Sequence, residues 1–364
     1  MRILLVILLW VSQSLWAGSQ VNVAVVGPRS GPVTEYGDMQ FTGARYSADD
    51  INQSSAYSVH LNLISFDDAC DPQQAIDVAK KIVQQKIQYV IGHLCSSATQ
   101  VAAPIYEKNN ILMITPASTS PTITQQGYRF VFRTIGLDSK QGPLAAEYIM
   151  HHKPKNLAII HDRQQYGKGV AEAVKATLMQ NKFPIKLMLE IEVGRMSFDQ
   201  EVEILKKQGI DFIYYGGYYP ELAHILRQSK RQGLSIQAMG PEAIASQDIM
   251  PLSSQAADGL LVTLPPAFST WPAAKKIVER LHKERLDEGS PFIYTSYAAV
   301  QVLAKAISES KSLVPADIAN TLRQKSFDTL IGSLSFNDEG DLNQFKFEVF
   351  RMDADGKMSK VFSL

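Results

Sequence analysis

The stretch VHLNLISFDDACDPQQAIDVAKKIVQQKIQYVIGHLCSS (residues 59–97) reads as strand, helix, strand and the start of a second helix. Apolar and β-branched runs at 59–66 and 87–92 flank a segment, 72–85, in which Ala75, Val78, Ala79, Ile82 and Val83 fall on one helical face. Asp71 stands where an N-cap is needed and Pro72 fits the first turn. Strands joined through a crossover helix run parallel, so this unit predicts a parallel sheet with helices packed on it.

The same alternation extends back through VNVAVVG (21–27) and MQFTGARYSADDIN (39–52). A second series follows RTIGLDSKQGP (133–143), which reads as a polar, Gly-containing connector. Its strands are expected near 157–161, 185–191, 211–215, 236–239 and 259–263, with helices near 168–180, 198–208 and 220–232. The Pro-rich LPPAF (264–268) leads to helices near 272–286, 294–310 and 315–324, then strands near 330–336, 345–351 and 358–363. Two βα series imply two α/β lobes, and 364 residues suit two, because single cores stop growing at roughly 250–300 residues. There is no tandem repeat, low-complexity tract or heptad series. With 45% hydrophobic and 20% charged residues and a formal net charge of +0, the composition is that of a soluble globular protein and implies no nucleic-acid partner.

The first residues, MRILLVILLWVSQSLWAGSQ (1–20), place Arg2 before an apolar run and end in small residues. This predicts a secretory signal peptide over 1–19, cleaved near residues 17–19. The apolar run 3–11 is far shorter than the roughly 18–20 residues of a membrane span. Export to an oxidising compartment favours a disulfide between the only two cysteines, Cys70 and Cys95. They sit in loops after consecutive strands, FDDACDP and GHLCSS, and such loops lie side by side at the carboxyl edge of a parallel sheet. A free catalytic Cys95 and a metal site with His93 stand as the alternatives.

Ser96 and Ser97 open the helix through ATQVAAPIYEKN, where serine serves as a cap or joins the helix amides in holding an anion. The next strand end, ILMITPASTSP (111–121), is again rich in hydroxyls. No Walker-type or Gly-x-Gly-x-x-Gly loop follows a strand, so no nucleotide is expected. In the second series the strand ends offer Tyr166, Tyr218, Tyr219 and Glu242. Hydroxyls opposed to tyrosines and one carboxylate suit a small zwitterion. A hydrolase using Ser96 or Cys95 would need a base in relay geometry; His93 lies on the same strand end, and no Gly-x-Ser-x-Gly elbow is present.

FDDACDPQQA, YVIGHLCSSATQ, RTIGLDSKQGP, IIHDRQQYGKG, DFIYYGGYYPE and MGPEAI together resemble the periplasmic leucine/isoleucine/valine-binding proteins of bacterial ABC importers, from about Val21 to the C-terminus. The resemblance implies a type I binding protein: two doubly wound parallel-sheet lobes joined by a three-segment hinge, without catalytic activity, cofactor or metal. Lobe one would comprise 20–137 and 265–340, and lobe two 138–264 and 341–364. By position, Ser96 and Thr119 would hold the α-carboxylate of leucine, isoleucine or valine, while the Ala117 carbonyl, Thr119 and Glu242 would take the ammonium. Tyr36, Leu94, Tyr166 and Tyr218 would surround the side chain, with Cys95 beside them in the ligand-binding set and Cys70–Cys95 matching the family disulfide. Ser118 stands where a smaller residue is common, and NQSSAYSVHL (52–61) lacks the family's Gly-rich turn. A periplasmic monomer serving an inner-membrane ABC permease is expected, the alternative being an exported sensor that passes occupancy to a signalling partner.

Overall fold

The computed structural model describes residues 19–363; the expected signal peptide therefore lies outside the described residues. The N-terminal series forms β1 (Ser19–Gly27), α1 (Thr34–Asn52), β2 (Val59–Asp67), α2 (Pro72–Gln84), β3 (Tyr89–Ile91), α3 (Ser96–Lys108), β4 (Leu112–Thr115) and β5 (Val131–Arg133). Its five strands make one parallel sheet in the order β2-β1-β3-β4-β5. In α2 the Asp71 side chain accepts from the Gln74 amide at 2.8 Å, and Ala75, Val78, Ala79 and Ile82 are buried.

The stretch expected to be a polar connector does carry the chain from the first sheet to the second, but as the end of buried β5 and the first turns of α4 (Asp138–His152), with Arg133, Asp138 and Gln141 all buried. The second series continues through β6 (Leu157–His161), α5 (Gln165–Gln180), β7 (Leu187–Glu190), α6 (Asp199–Lys207), β8 (Phe212–Gly216), α7 (Tyr219–Arg231), β9 (Gln237–Gly240), α8 (Ile249–Leu252) and β10 (Leu261–Leu264). The chain then forms α9 (Lys275–Glu284), α10 (Pro291–Ser310) and α11 (Pro315–Gln324), of which α10 packs along α1 of the first layer. The strand expected near 330–336 is a short hairpin of its own, β11 (Ser326–Thr329) with β12 (Gly332–Ser335). Finally β13 (Glu348–Met352) joins β10 antiparallel and β14 (Met358–Phe362) pairs antiparallel with β13, closing a seven-stranded sheet in the order β14-β13-β10-β9-β8-β6-β7. The chain thus passes between the sheets three times, after β5, after β10 and before β13.

Cys70 and Cys95 are bonded, with Cα atoms 5.4 Å apart across 25 positions. Asp67 and Asp68 shape the loop before the bridge: Asp67 Oδ1 accepts from the Ala69 amide at 2.9 Å, and Asp68 Oδ1 from the Cys70 amide at 3.0 Å. The bridge removes conformations from the unfolded chain, which for a loop of this length is worth about 3 kcal/mol. Replacing both cysteines by serine should lower the unfolding free energy by about that amount in urea titration. Thiol titration of the denatured, unreduced protein should find no free thiol.

Candidate functional site

The strand ends that the sequence singles out face one another across a cleft between the two sheets. A cavity there is lined by Tyr36, Leu94, Ser96, Ala117, Tyr166 and Tyr218, together with Glu242, Ala243 and Phe292. Its free space, about 10 Å³, is at the lower limit of what a single water needs. Any larger molecule must be admitted by parting the two walls.

The first wall is built from the end of β3. Gly92 has φ +134°, and a Cβ there would lie 2.2 Å from the Val26 carbonyl oxygen, so only glycine lets β3 turn so close to β1. Gln40 braces the turn by donating to the Val26 and Ile91 carbonyls at 2.9 and 3.2 Å. His93 is sealed in the core, with Nδ1 2.6 Å from Asp68 Oδ2 and Nε2 2.9 Å from the Tyr106 hydroxyl. Both ring nitrogens are engaged away from Ser96, so the hydrolase relay has no base.

Most of the neighbouring hydroxyls serve the backbone. Thr115 Oγ1 donates to the His93 carbonyl at 2.7 Å and Ser118 Oγ to the Leu94 carbonyl at 2.9 Å, with Thr99 bonded to Ser118 at 2.6 Å. Ser118, an expected departure beside the binding turn, is thereby turned onto the backbone and does not line the cavity. Two hydroxyls are left. Ser96 Oγ only accepts a long bond, 3.4 Å, from the Ser120 amide, and the buried Thr119 Oγ1 has no partner among the described residues. The first amides of α3 also lack intrahelical acceptors, as at any helix start. Cys95 is the N-cap of α3, committed to the disulfide; neither it nor Thr119 is among the lining residues.

The second wall is aromatic and acidic. Tyr166, in the first turn of α5, and Tyr218, the N-cap of α7, have ring centroids 5.4 Å apart. The turn after β9 carries Glu242, which is buried and receives a hydrogen bond from Gln141 Nε2; that same amide donates to the Thr263 carbonyl at 3.1 Å. Burial pushes the Glu242 carboxyl up to about 7. Asp138 is buried beside it with neither carboxylate oxygen hydrogen-bonded; burial and then the Glu242 charge raise it to about 8. Gln141 Oε1 is likewise unpartnered.

Hydrogen bonds join the walls at both rims. The Tyr36 hydroxyl donates to the Ala243 carbonyl at 2.8 Å, Ser246 bonds Glu35, and Tyr219 donates to the Pro32 carbonyl at 3.2 Å. On the other side Gln165 Nε2 donates to Thr122 Oγ1 at 2.9 Å. Edge-on packing of Tyr36 against Tyr219 and Phe292 fills the space between.

Sequence reasoning missed Phe292, Ala243, Asp138 and Gln141. Ser290 and Pro291 do signal a helix start, which would have brought Phe292 to the end of α10 that meets the cleft. A larger cavity, about 470 Å³, opens beside the second crossing between Pro265, Phe268, Tyr294 and Phe350. Of its ionic groups, Asp287, Asp355 and Lys357 are exposed and the half-buried Glu288 is paired with His282, so it lacks the buried, unsatisfied polar groups found around the cleft. Among the described residues no cluster of three or more His, Cys, Asp or Glu could hold a metal ion, and no helix is long and apolar enough to cross a membrane.

The profile of a family described as periplasmic binding protein matches residues 20–357. The chain is 47% identical over 353 residues to the leucine-specific-binding protein of Salmonella typhimurium, covering 96% of this chain and 95% of that one. It is 46% identical over 338 residues to the Leu/Ile/Val-binding protein of Escherichia coli, covering 92% of each. Among solved structures, a leucine binding protein LivK from Thermotoga maritima superposes with a TM-score of 0.87 at 25% identity, over 94% of this chain and 97% of that one. These relatives are binding proteins, not enzymes.

The buried acids give the protein a distinctive pH dependence. Asp138, Glu242 and Asp162, the last raised to about 7 chiefly by burial, hold protons in the folded state that the unfolded chain loses near pH 4. The folded state therefore binds more protons between about pH 4 and 8, and stability falls as pH rises through that window. His161 and His224, both lowered by burial, act in the opposite sense, but their contribution is complete by about pH 6.5. Thermal melts of protein stripped of amino acids should fall from pH 6.5 to 8.5, with Asp138 alone accounting for on the order of 2 kcal/mol. Asp138→Asn should flatten the profile.

Proposed function

Because the chain belongs to the periplasmic binding protein family, we propose that it captures the branched-chain amino acids leucine, isoleucine and valine in the periplasm and delivers them to an inner-membrane ABC permease. One observation carries this reading: a single cavity between the two sheets sets the nearly free Ser96 hydroxyl at the start of α3 against the buried Glu242 carboxyl, with an aromatic lining around them. Leucine-, isoleucine- and valine-binding relatives at nearly half identity over the whole length support it.

In this reading Ser96, Thr119 and the first amides of α3 hold the α-carboxylate, and the Ala117 carbonyl, Thr119 hydroxyl and Glu242 hold the ammonium. Charge-assisted hydrogen bonds of this kind are about twice as strong as neutral ones. Tyr36, Leu94, Tyr166, Tyr218 and Phe292 enclose the side chain, where aromatic rings offer large contact area at small entropic cost. The protein works as a monomer. Residues 20–137 and 265–340 move as one body, 138–264 and 341–364 as the other, and the three crossings form the hinge. The Tyr36–Ala243, Glu35–Ser246 and Gln165–Thr122 bonds form on closure, so a ligand that bridges the walls is sealed in and the closed shape reports occupancy to the permease.

Leucine, isoleucine and valine should each raise the melting temperature of the mature protein, by an amount equivalent to about 2.7 kcal/mol at 100 times the dissociation constant. Glutamate, lysine and arginine should not, because their second charge would be desolvated without a partner. A charged amino acid as effective as leucine would overturn the assignment. Glu242→Ala should weaken leucine binding by about 2–5 kcal/mol in calorimetry while the fold persists. As the matched control, 4-methylpentanoate lacks the ammonium: wild type should bind it far more weakly than leucine, and the variant should discriminate much less. Leucine affinity within threefold of wild type in Glu242→Ala would reject the ammonium role. Tyr36→Phe removes only the bond to the Ala243 carbonyl and should cost about 1 kcal/mol of affinity.

A further inference from the structure

Asp138 has no assigned role in the binding scheme, yet it is the least satisfied charged group of the cleft. It is 1% exposed, and neither of its oxygens has a hydrogen-bond partner within 3.5 Å; the Thr119 hydroxyl faces it and only partly offsets its burial. Its backbone is fixed by donation from its amide to the Thr119 carbonyl at 3.0 Å, which sets it beside the unpartnered Thr119 hydroxyl. One turn further along α4, Gln141 reaches Glu242 on the same wall and leaves its own Oε1 unpaired. Asp138, Thr119, Gln141 and Glu242 thus form one buried cluster, rich in acceptors, that spans the first crossing.

The cations around this cluster do not neutralise it. Arg133 on β5 is the one positive group whose charge acts on Asp138, and its guanidinium is already committed to Asp341 at 2.6 Å, the Ser118 carbonyl at 2.6 Å and Thr124 at 2.8 Å. The remaining titratable groups facing the two acids are tyrosines: Tyr166 from α5, Tyr214 from β8, Tyr218 before α7 and Tyr36 from α1. All four are held well above their ordinary value by burial and stay neutral. Among the described residues no lysine or histidine figures among the groups that act on either acid.

We propose that Asp138 and Glu242 act as one acid pair that shares a proton in the ligand-free cleft, and that capture of an amino acid exchanges this proton for the ligand's ammonium. The inference rests on the amino-acid reading of the cleft. An O–H bond of the pair breaks, the proton passes to bulk water, and the ammonium takes its place among the same oxygens. Before capture the pair with its proton carries a formal charge of minus one; afterwards two carboxylates and one ammonium carry minus one again. The charge at the acid pair is therefore unchanged, the ligand's own carboxylate being met separately by the α3 amides and hydroxyls of the first wall, and neither state leaves the two acids uncompensated in a dry site. The upward displacement of both acids toward neutrality agrees with this sharing. The pair titrates as a unit, so Asp138 tunes ligand affinity through Glu242 and through the net charge of the cluster.

The test is calorimetric titration of wild-type protein with leucine at pH 7.5 in buffers that differ in ionisation enthalpy. The dependence of the observed enthalpy on the buffer counts protons released. We expect close to one proton per leucine, with an affinity that rises up to tenfold per pH unit between pH 6.5 and 7.5 and levels off above about pH 8. Asp138→Asn keeps the shape and removes one acid; it should cut the release by more than half and flatten the pH profile. Glu242→Gln should likewise reduce the release wherever leucine binding remains measurable. Leucine binding by wild type with no buffer dependence would overturn the proposal alone, as would Asp138→Asn releasing as many protons as wild type. An absence of leucine binding by wild type would overturn the reading of the cleft and this inference with it. Because the wild-type proton count decides by itself, a variant that fails to fold does not rescue the proposal.

Discussion

A buried guanidinium holds the binding turn against the chain's last crossing. Arg133 is inaccessible to solvent and pairs with Asp341 at 2.6 Å. A buried ion pair is tolerable only when its remaining hydrogen-bond positions are filled. Arg133 fills them with the carbonyls of Ser118 and Ser120, at 2.6 and 3.1 Å, and with Thr124. Those two carbonyls flank Thr119. Turning both toward the arginine sets the conformation of the turn and leaves the Thr119 hydroxyl uncommitted. The crossing itself runs so close to β5 that a Cβ at Gly340, φ +89°, would lie 2.0 Å from the Val131 carbonyl oxygen. Glycine at that point lets Asp341 reach the arginine, so the turn and the crossing are fixed by one constraint.

The stretch around His93 and Cys95 follows the same logic of satisfied polar groups. It carries an imidazole, a thiol and two hydroxyls within five residues, yet its chemistry is spent on structure. Asp68 and Tyr106 take both imidazole nitrogens, Cys70 takes the thiol, and Thr115 and Ser118 take the carbonyls exposed where β3 ends. A strand that stops inside a protein leaves such carbonyls unpaired, and hydroxyls from the adjacent turn meet them without changing the sheet. Ser96 and Thr119 are then distinguished by elimination, as the hydroxyls that the backbone does not consume.

This division also explains what could be read in advance. The sheets and their helices were legible because burial of apolar residues imposes a period, as in α2, where Asp71 and Pro72 mark the start unambiguously. Tyr166, Tyr218 and Glu242 were legible because each follows an apolar strand, and strand ends converge in a parallel sheet. Arg133, Asp138 and Gln141 carry no such signal. In sequence, buried polar residues look like those of a solvated loop, and RTIGLDSKQGP accordingly reads as a connector. What separates the two is the company each residue keeps, contributed by Asp341, Glu242 and Thr263 from 100 or more positions away. The β11–β12 hairpin was misjudged for another reason: each strand has four residues, too few for alternation to show the turn between them.

On the proposed reading, coarse selectivity is a matter of counting charge, and shape enters only afterwards. The Asp138–Glu242 cluster takes up one positive charge, whether a proton or an ammonium, and carries minus one in either state. The amides and hydroxyls of the first wall can meet one carboxylate, and the rest of the cavity offers Leu94, Phe292 and tyrosine rings. A zwitterion with an uncharged side chain satisfies this set and leaves nothing over. A side-chain carboxylate adds a second negative charge next to two acids, and a side-chain ammonium adds a cation among rings with no carboxylate of its own. Each extra charge must be stripped of water without compensation, a penalty far above the roughly 0.8 kcal/mol that one methylene contributes to apolar burial. Discrimination among leucine, isoleucine and valine therefore falls to differences of that smaller order, set by how Tyr36, Tyr218 and Phe292 close around a branched side chain.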